Sequence, residues 1–334
     1  MNRSGPEPFR WQDGERLIVF GRGRLDQAGQ LLPPGYVLLT TPRAAAAAPR
    51  LVEQAAAVRE VGPGRVDELA AELRLQVRGE LLVALGGGRV IDTAKAVAAA
   101  DPPRRVAAIP TTLSGAEMTA IHRHAAGVRP DTPRVRPALV ICDPALAASQ
   151  PPPEMAQSAA NALGHAVEGP LTPLGNPVAT SAALEAARLL SAEDFSELGD
   201  AGRDQLALGA ILAGYVIGST GYGLHHVLSQ TLVRFAGIGH GAANAVMLPH
   251  SIQALQRRSL GEFLESLRQI LGRDPAELAT RLRDLGGPRT LREAGVAQAD
   301  LDRCAHEASG RPELHMTPPA PDAGELRELY AAAY

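Results

Sequence analysis

The stretch that most constrains this chain is residues 80–100. It reads Glu80-Leu-Leu-Val-Ala-Leu85, then Gly86-Gly87-Gly88, then a helical pattern from Val90 to Ala100. An apolar run with no polar face must be covered on both sides if it forms a strand. Three successive glycines let the backbone turn tightly and approach a ligand without Cβ interference. The helix that follows presents free N–H groups and a partial positive charge at its start, which suits a phosphate or pyrophosphate. The spacing is not GxGxxG, and Gly21-x-Gly23 also lacks a third glycine, so a purely structural tight turn fits the same residues.

Similar apolar runs recur at Arg16–Phe20, Tyr36–Thr40, Val106–Ile109 and Ala138–Cys142, spaced by helix-like stretches. Continuous strands alternating with helices predict an α/β domain with a mainly parallel sheet over residues 1–150. After Asp143-Pro144, and from Pro151-Pro152-Pro153 onward, the pattern turns helical. Glu154–Glu168, Ala179–Leu190, Arg203–Ser219 and Leu260–Leu271 are amphipathic, and Glu325–Tyr334 reads as a final short helix. An all-helical domain is therefore expected over residues 151–334, two domains being usual for a chain of 334 residues.

With 45% apolar residues, 21% charged residues and a net charge of −3, the composition is that of a globular protein. There is no clustered basic excess of the kind that neutralises nucleic-acid phosphates. Among 33 basic residues Lys95 is the single lysine. Cys142 and Cys304 form no disulfide framework or CxxC pair. Met1–Trp11 has no apolar core of a leader, and no apolar run approaches the ~20 residues of a membrane helix. A cytoplasmic protein without a membrane partner is expected.

Two further groups of residues could carry chemistry. Pro110-Thr111-Thr112-Leu113-Ser114-Gly115-Ala116-Glu117 places several hydroxyls just past an apolar strand, at the sheet edge where such folds bind ligands, or else simply caps the next helix. In the helical half, Asn161 and His165 share a helix face at i, i+4, as do His226 and Gln230, and His240 follows in Gly239-His240-Gly241. Histidines on separate segments can converge on a metal, or remain ordinary core residues.

Taken together, these motifs resemble the iron-containing (group III) alcohol dehydrogenases, and within them are most similar to the maleylacetate reductases. The family's GGGSxxDxAK loop corresponds to Gly86–Lys95, and its PTTxxSGSE segment to Pro110–Glu117 with Ala116 as the one change. Its DPxL element is Asp143-Pro144-Ala145-Leu146. Its DAxxHAxE helix is Asn161–Glu168, and its HGxxxAxxLPH element runs from His240 to His250. Gly223-Leu224-His225-His226 and Pro288–Gly295 carry the maleylacetate reductase flavour.

The resemblance implies a Rossmann-like dinucleotide-binding domain followed by a helical domain, as in the dehydroquinate synthase-like fold, with the active site in the cleft between them and a homodimeric assembly. It implies NADH or NADPH as cofactor, with Gly86, Gly87 and Gly88 at the pyrophosphate and Arg89, Asp92, Lys95, Thr111, Thr112 and Leu113 around the nucleotide. The family's metal ligands fall on Asn161, His165, His226 and His240, for a divalent ion such as iron or zinc. His165, His225, His226 and His240 are the implied catalytic histidines. The reaction implied is hydride transfer to a small carbonyl or conjugated oxo-acid, as when maleylacetate becomes 3-oxoadipate.

Several positions depart from the family pattern. Asn161 replaces a carboxylate, and a neutral amide offsets none of a cation's charge, which leaves metal occupancy open. Gln230 stands where relatives carry a further histidine, and an amide does not titrate near neutrality. Arg89 replaces a serine. The second strand ends Thr40-Thr41-Pro42-Arg43 without the carboxylate that would mark NAD, so Thr41 and Arg43 allow NADPH. Arg234 is a candidate for a substrate carboxylate, with Gln230 beside it as a second substrate contact. These departures keep two other functions in view: a metal-dependent alcohol or aldehyde dehydrogenase with another substrate, and a member turned to lyase, cyclase or binding work.

Overall fold

The computed structural model describes residues 5–147, 150–192, 195, 197–258 and 261–334. Among these residues the chain separates into two compact units, residues 1–150 with 199–211, and residues 151–198 with 212–334.

The first unit is built on a seven-stranded sheet. Its strands are β1 Phe9–Asp13, β2 Arg16–Phe20, β3 Val37–Thr40, β4 Ala57–Glu60, β5 Leu81–Gly86, β6 Arg105–Pro110 and β7 Leu139–Cys142, in the spatial order β1-β2-β7-β6-β5-β3-β4. β1 runs antiparallel to β2, and the other pairings are parallel. Helices α1 Ala28–Leu31, α2 Pro42–Ala47, α3 Pro49–Gln54, α4 Val66–Gln76, α5 Gly88–Ala100 and α6 Pro144–Ala147 cover it.

Side-chain alternation divides the core into two layers. Val37, Leu39, Leu82, Ala84, Val106 and Ala108 pack on one face with Ile91, Ala94 and Val97 of α5. Leu38, Val83, Leu85, Ala107, Ile109 and Ile141 pack on the other with Ala28 and Leu51. Both faces are apolar because both are covered, which is why these strands read as unbroken runs. Strand order reverses between β3 and β5, and Thr40 pairs with Leu85 there, so the carboxyl ends of these two strands form the switch point of the sheet.

The second unit consists of helices. They are α7 Pro152–Glu168, α8 Pro177–Leu190, α9 Asp200–Thr220, α10 Leu224–Thr231, α11 His240–Arg258, α12 Glu262–Leu271, α13 Pro275–Gly286, α14 Asp300–Ser309 and α15 Ala323–Ala333. Its core gathers Leu224, Leu228, Val246, Met247, Leu326 and Tyr330, the last donating its buried Oη to the Leu228 carbonyl at 3.0 Å.

Sequence and structure differ at three places. β1 and β4 were not expected, because both are short edge strands with half-exposed alternation. Helices read from Glu154 and Ala179 begin two residues earlier, at Pro152 and Pro177, where proline fits the first turn. Residues 199–211, expected in the helical domain, belong to the α/β unit, so the opening turns of α9 lie there. Arg22, on the Gly21–Gly23 turn, holds Asp204 at 2.6 Å and Asp200 at 3.2 Å, and Ala207 and Ala210 lie beside Pro110, Leu113 and Cys142. Met1–Ser4 and Leu260, where a helix was expected to start, lie outside the described residues. Among the described residues no single helix is long and apolar enough to cross a membrane.

Candidate active site

In the α/β unit, β5 ends at Gly86 and α5 starts at Gly88, with Gly87 as its N-cap and no side chain capping it. The first-turn N–H groups of such a helix have no intrahelical acceptor. The glycines are required by packing. A Cβ on Gly86 would lie 2.6 Å from Val90 Cγ2, one on Gly87 3.0 Å from Thr112 Cγ2, and one on Gly88 3.1 Å from Ser114 Cβ. The hydroxyl loop after β6 thus seats directly on the glycine turn, tied by the Thr111 N–H to the Gly86 carbonyl at 3.0 Å.

The other nucleotide-side residues divide by exposure. Thr111 and Leu113 are buried, Thr112 is half-buried, and Arg89 and Arg43 are exposed. Thr41 caps α2, its Oγ1 accepting the Ala44 N–H at 3.3 Å. Lys95 is buried and paired with Asp92 at 2.7 Å. The turn, the uncapped helix start and the adjacent hydroxyls fit a dinucleotide's pyrophosphate.

In the helical unit, α7 and α10 bring three histidines together. His165 and His226 stack with ring centroids 4.7 Å apart, and His225 meets His226 edge-on at 4.8 Å. Gly164 makes room, since a Cβ there would lie 2.7 Å from His225 Cδ2. Glu168, one turn beyond His165 on α7, is buried beneath them. Its Oε1 accepts the His225 backbone N–H at 2.6 Å, and its Oε2 lies 2.8 Å from His226 Nδ1. Burial pushes the Glu168 carboxyl up, while His225 and the nearby backbone N–H groups pull it down. With Glu168 ionised, His226 donates from Nδ1 and its Nε2 keeps the lone pair.

Desolvation also keeps the imidazoles neutral. It lowers His225 and His226 to about 3, and His165 well below its ordinary range. His165 Nδ1 and His226 Nε2 are buried ring nitrogens without a hydrogen-bond partner.

Of the other expected residues, His240 is close enough to act electrostatically on His165, His225 and His226. Asn161 is buried one turn before His165, whereas His240 is exposed at the start of α11. Gln230 accepts from Arg311 at 3.1 Å. Arg234 is exposed, with its guanidinium over the Phe235 ring at 5.3 Å.

Residues beyond those expected surround the cluster. Tyr222 lies 5.8 Å from the His226 ring and donates to Glu313 at 3.0 Å, and Arg311 also holds Glu313 at 3.0 Å. Glu168 was readable from its i, i+3 spacing to His165. Tyr222, Arg311 and Glu313 leave no such signal.

Residues 16–144 match the family described as iron-containing alcohol dehydrogenase, and residues 155–334 match its C-terminal family. The chain belongs to the iron-containing alcohol dehydrogenase family. It is 33% identical over 282 residues to maleylacetate reductase 1 of Rhodococcus opacus, covering 81% of this chain and 78% of that protein. It is 30% identical over 326 residues to maleylacetate reductase of Rhizobium sp. strain MTP-10005, covering 92% of each. The crystal structure of maleylacetate reductase from Agrobacterium tumefaciens superposes with a TM-score of 0.82 at 27% identity, over 98% of this chain and 99% of that one.

Iron in the family's name raises the question of a metal. Of the four positions that the family resemblance implies as ligands, His165 and His226 offer bare ring nitrogens, Asn161 offers a neutral amide, and His240 is exposed. Among the described residues no three His, Cys, Asp or Glu side chains converge to hold an ion.

Proposed function

We propose that this family member is an NAD(P)H-dependent reductase that delivers hydride to a small carbonyl or conjugated oxo-acid of the maleylacetate type. The observation that carries the reading is the 33% identity to a maleylacetate reductase over 78% of that enzyme's length. The glycine turn and hydroxyl loop of the α/β unit support a bound nicotinamide nucleotide, which would supply the hydride.

On this reading Gly86–Gly88 and the start of α5 bind the pyrophosphate. Thr111, Thr112 and Leu113 shape the nucleotide wall, and Thr41 and Arg43 lie at the end of β3 where the adenosine ribose binds in such folds. His165 and His226 are kept neutral by burial; a ring N–H of His165 can donate to the substrate's oxygen, whereas the Nε2 lone pair of His226 accepts from a substrate hydroxyl. Glu168 fixes the His226 ring, and His225 supports it from the side. Gln230 and Arg234 are the proposed contacts for the rest of the substrate, although Gln230 is already held by Arg311. Two free, buried cysteines suit a reducing cytoplasm, and a homodimer is the assembly we infer.

The test is to titrate the purified protein with NADH and NADPH by nicotinamide fluorescence, then add maleylacetate and follow loss of the reduced cofactor. Binding of either nucleotide, followed by its oxidation, is expected. Failure of both to bind at about 1 mM, the upper end of ordinary enzyme KM values, overturns the reading.

A further inference from the structure

Lys95, the single lysine of the chain, is 0% exposed. From the third turn of α5 its Nζ donates to the carbonyls of Ala116 at 2.9 Å, Ile121 at 2.9 Å and Thr119 at 3.2 Å. It also lies 3.4 Å from Thr119 Oγ1 and 2.7 Å from Asp92 Oδ1. An ammonium has three N–H donors, and here five oxygens surround it. Carbonyls, a hydroxyl and a carboxylate are the donor types that oxygen-seeking metal cations select. Such a shell is also what makes a buried charge tolerable.

The shell joins two walls. Its three carbonyls belong to the run 116–121, which directly follows the hydroxyl loop, while Lys95 and Asp92 belong to the helix whose first turn is the glycine turn. A phosphate could reach this ammonium only by displacing oxygens already in place.

We infer that Lys95 is a tethered cation that clamps the hydroxyl loop against the glycine turn, and so is a positioning residue for the nucleotide, not a phosphate ligand. This rests on the reading that the glycine turn holds a nicotinamide cofactor. The chemistry asked of position 95 is a positive charge inside an oxygen shell. A small free cation can therefore replace the side chain once its stem is removed.

Two experiments test this. In full-length protein carrying ¹⁵N-lysine, one Nζ resonance reports on Lys95 alone. It is expected to be observable and slow to exchange before any ligand is added, and to move little when NADPH binds. A signal that becomes protected only with NADPH, or shifts strongly with it, makes Lys95 a phosphate ligand and overturns the inference.

In Lys95→Ala the NADPH Kd is expected to rise about tenfold or more, a loss of at least ~1.4 kcal/mol. Ammonium or ethylammonium restores affinity at constant ionic strength, whereas tetramethylammonium, which has no N–H, does not. Unchanged affinity in the variant, or equal effects of all three cations, overturns the clamp. If the variant does not fold, the wild-type resonance decides the question. If wild-type protein binds neither nucleotide, the cofactor reading fails and the positioning role with it, while a protected resonance would still show the oxygen shell.

Discussion

Glu117 should make this protein lose stability as the pH rises from about 4.5 to about 7. The side chain is 1% exposed, and its Oε2 has no hydrogen-bond partner. Burial pushes its carboxyl from an ordinary value of 4.5 up to about 7, against the pull of a backbone hydrogen bond and of Lys95, with Asp92 adding slightly to the rise. The folded protein therefore keeps this proton at pH values where the unfolded chain has lost it. Below pH 4.5 both states are protonated and no penalty exists. Between 4.5 and about 7 the unfolded chain ionises while the folded one resists, so stability falls with increasing pH, and above 7 the loss levels off. A rise of about 2.5 pH units at ~1.4 kcal/mol each amounts to ~3 kcal/mol.

Glu117→Gln keeps the shape and removes the proton. Urea unfolding of both proteins across this pH range gives the difference in their unfolding free energies, which cancels every other titrating group. That difference should be flat below pH 4.5 and then move by ~3 kcal/mol in favour of the variant by about pH 8. A difference that stays constant from acid to pH 8 would refute the argument, because it would mean that Glu117 ionises as readily in the folded protein as in the unfolded chain.

Two packing predictions can be checked with the same unfolding assay. Gly164→Ala places a Cβ 2.7 Å from His225 Cδ2, so the buried ring must shift. We expect a loss of about 1–3 kcal/mol despite alanine's better helix propensity, and a lower turnover at unchanged nucleotide affinity. Tyr330→Phe removes the 3.0 Å bond to the Leu228 carbonyl and should cost about 1 kcal/mol, visible as an earlier urea midpoint at unchanged slope.

How much could be read from residues alone depended on whether the determining interaction was local. β5, β6 and β7 were legible because strands covered on both faces need unbroken apolar runs, and each ends at the expected carboxyl edge. β1 and β4 sit at the two edges of the sheet, where half of each strand meets solvent, and Phe9-Arg10-Trp11-Gln12-Asp13 carries too little apolar signal to stand out. The helix was read from Arg203 and begins at Asp200, but the unit its opening turns join depends on long-range contacts such as Arg22 with Asp204, 182 residues apart.

The same division holds for the candidate site. His165 and Glu168 share a helix face and His225 and His226 are neighbours in sequence, so each half was open to inspection, whereas the bonds from Glu168 to His225 and His226 join two helices. Arg311 reaches Tyr222 across 89 residues and Gln230 across 81, and no spacing rule links them. Lys95 is the instructive case. Its rarity marked it as a residue with a task, and the resemblance of Gly86–Lys95 to the family's glycine loop implied the nucleotide. The shell around it, however, is made largely of backbone carbonyls, which every residue has and which leave no trace in a sequence. A side chain's identity can show that a charge is needed in a region. Only the fold shows whether the oxygens that need it belong to a ligand or to the chain itself.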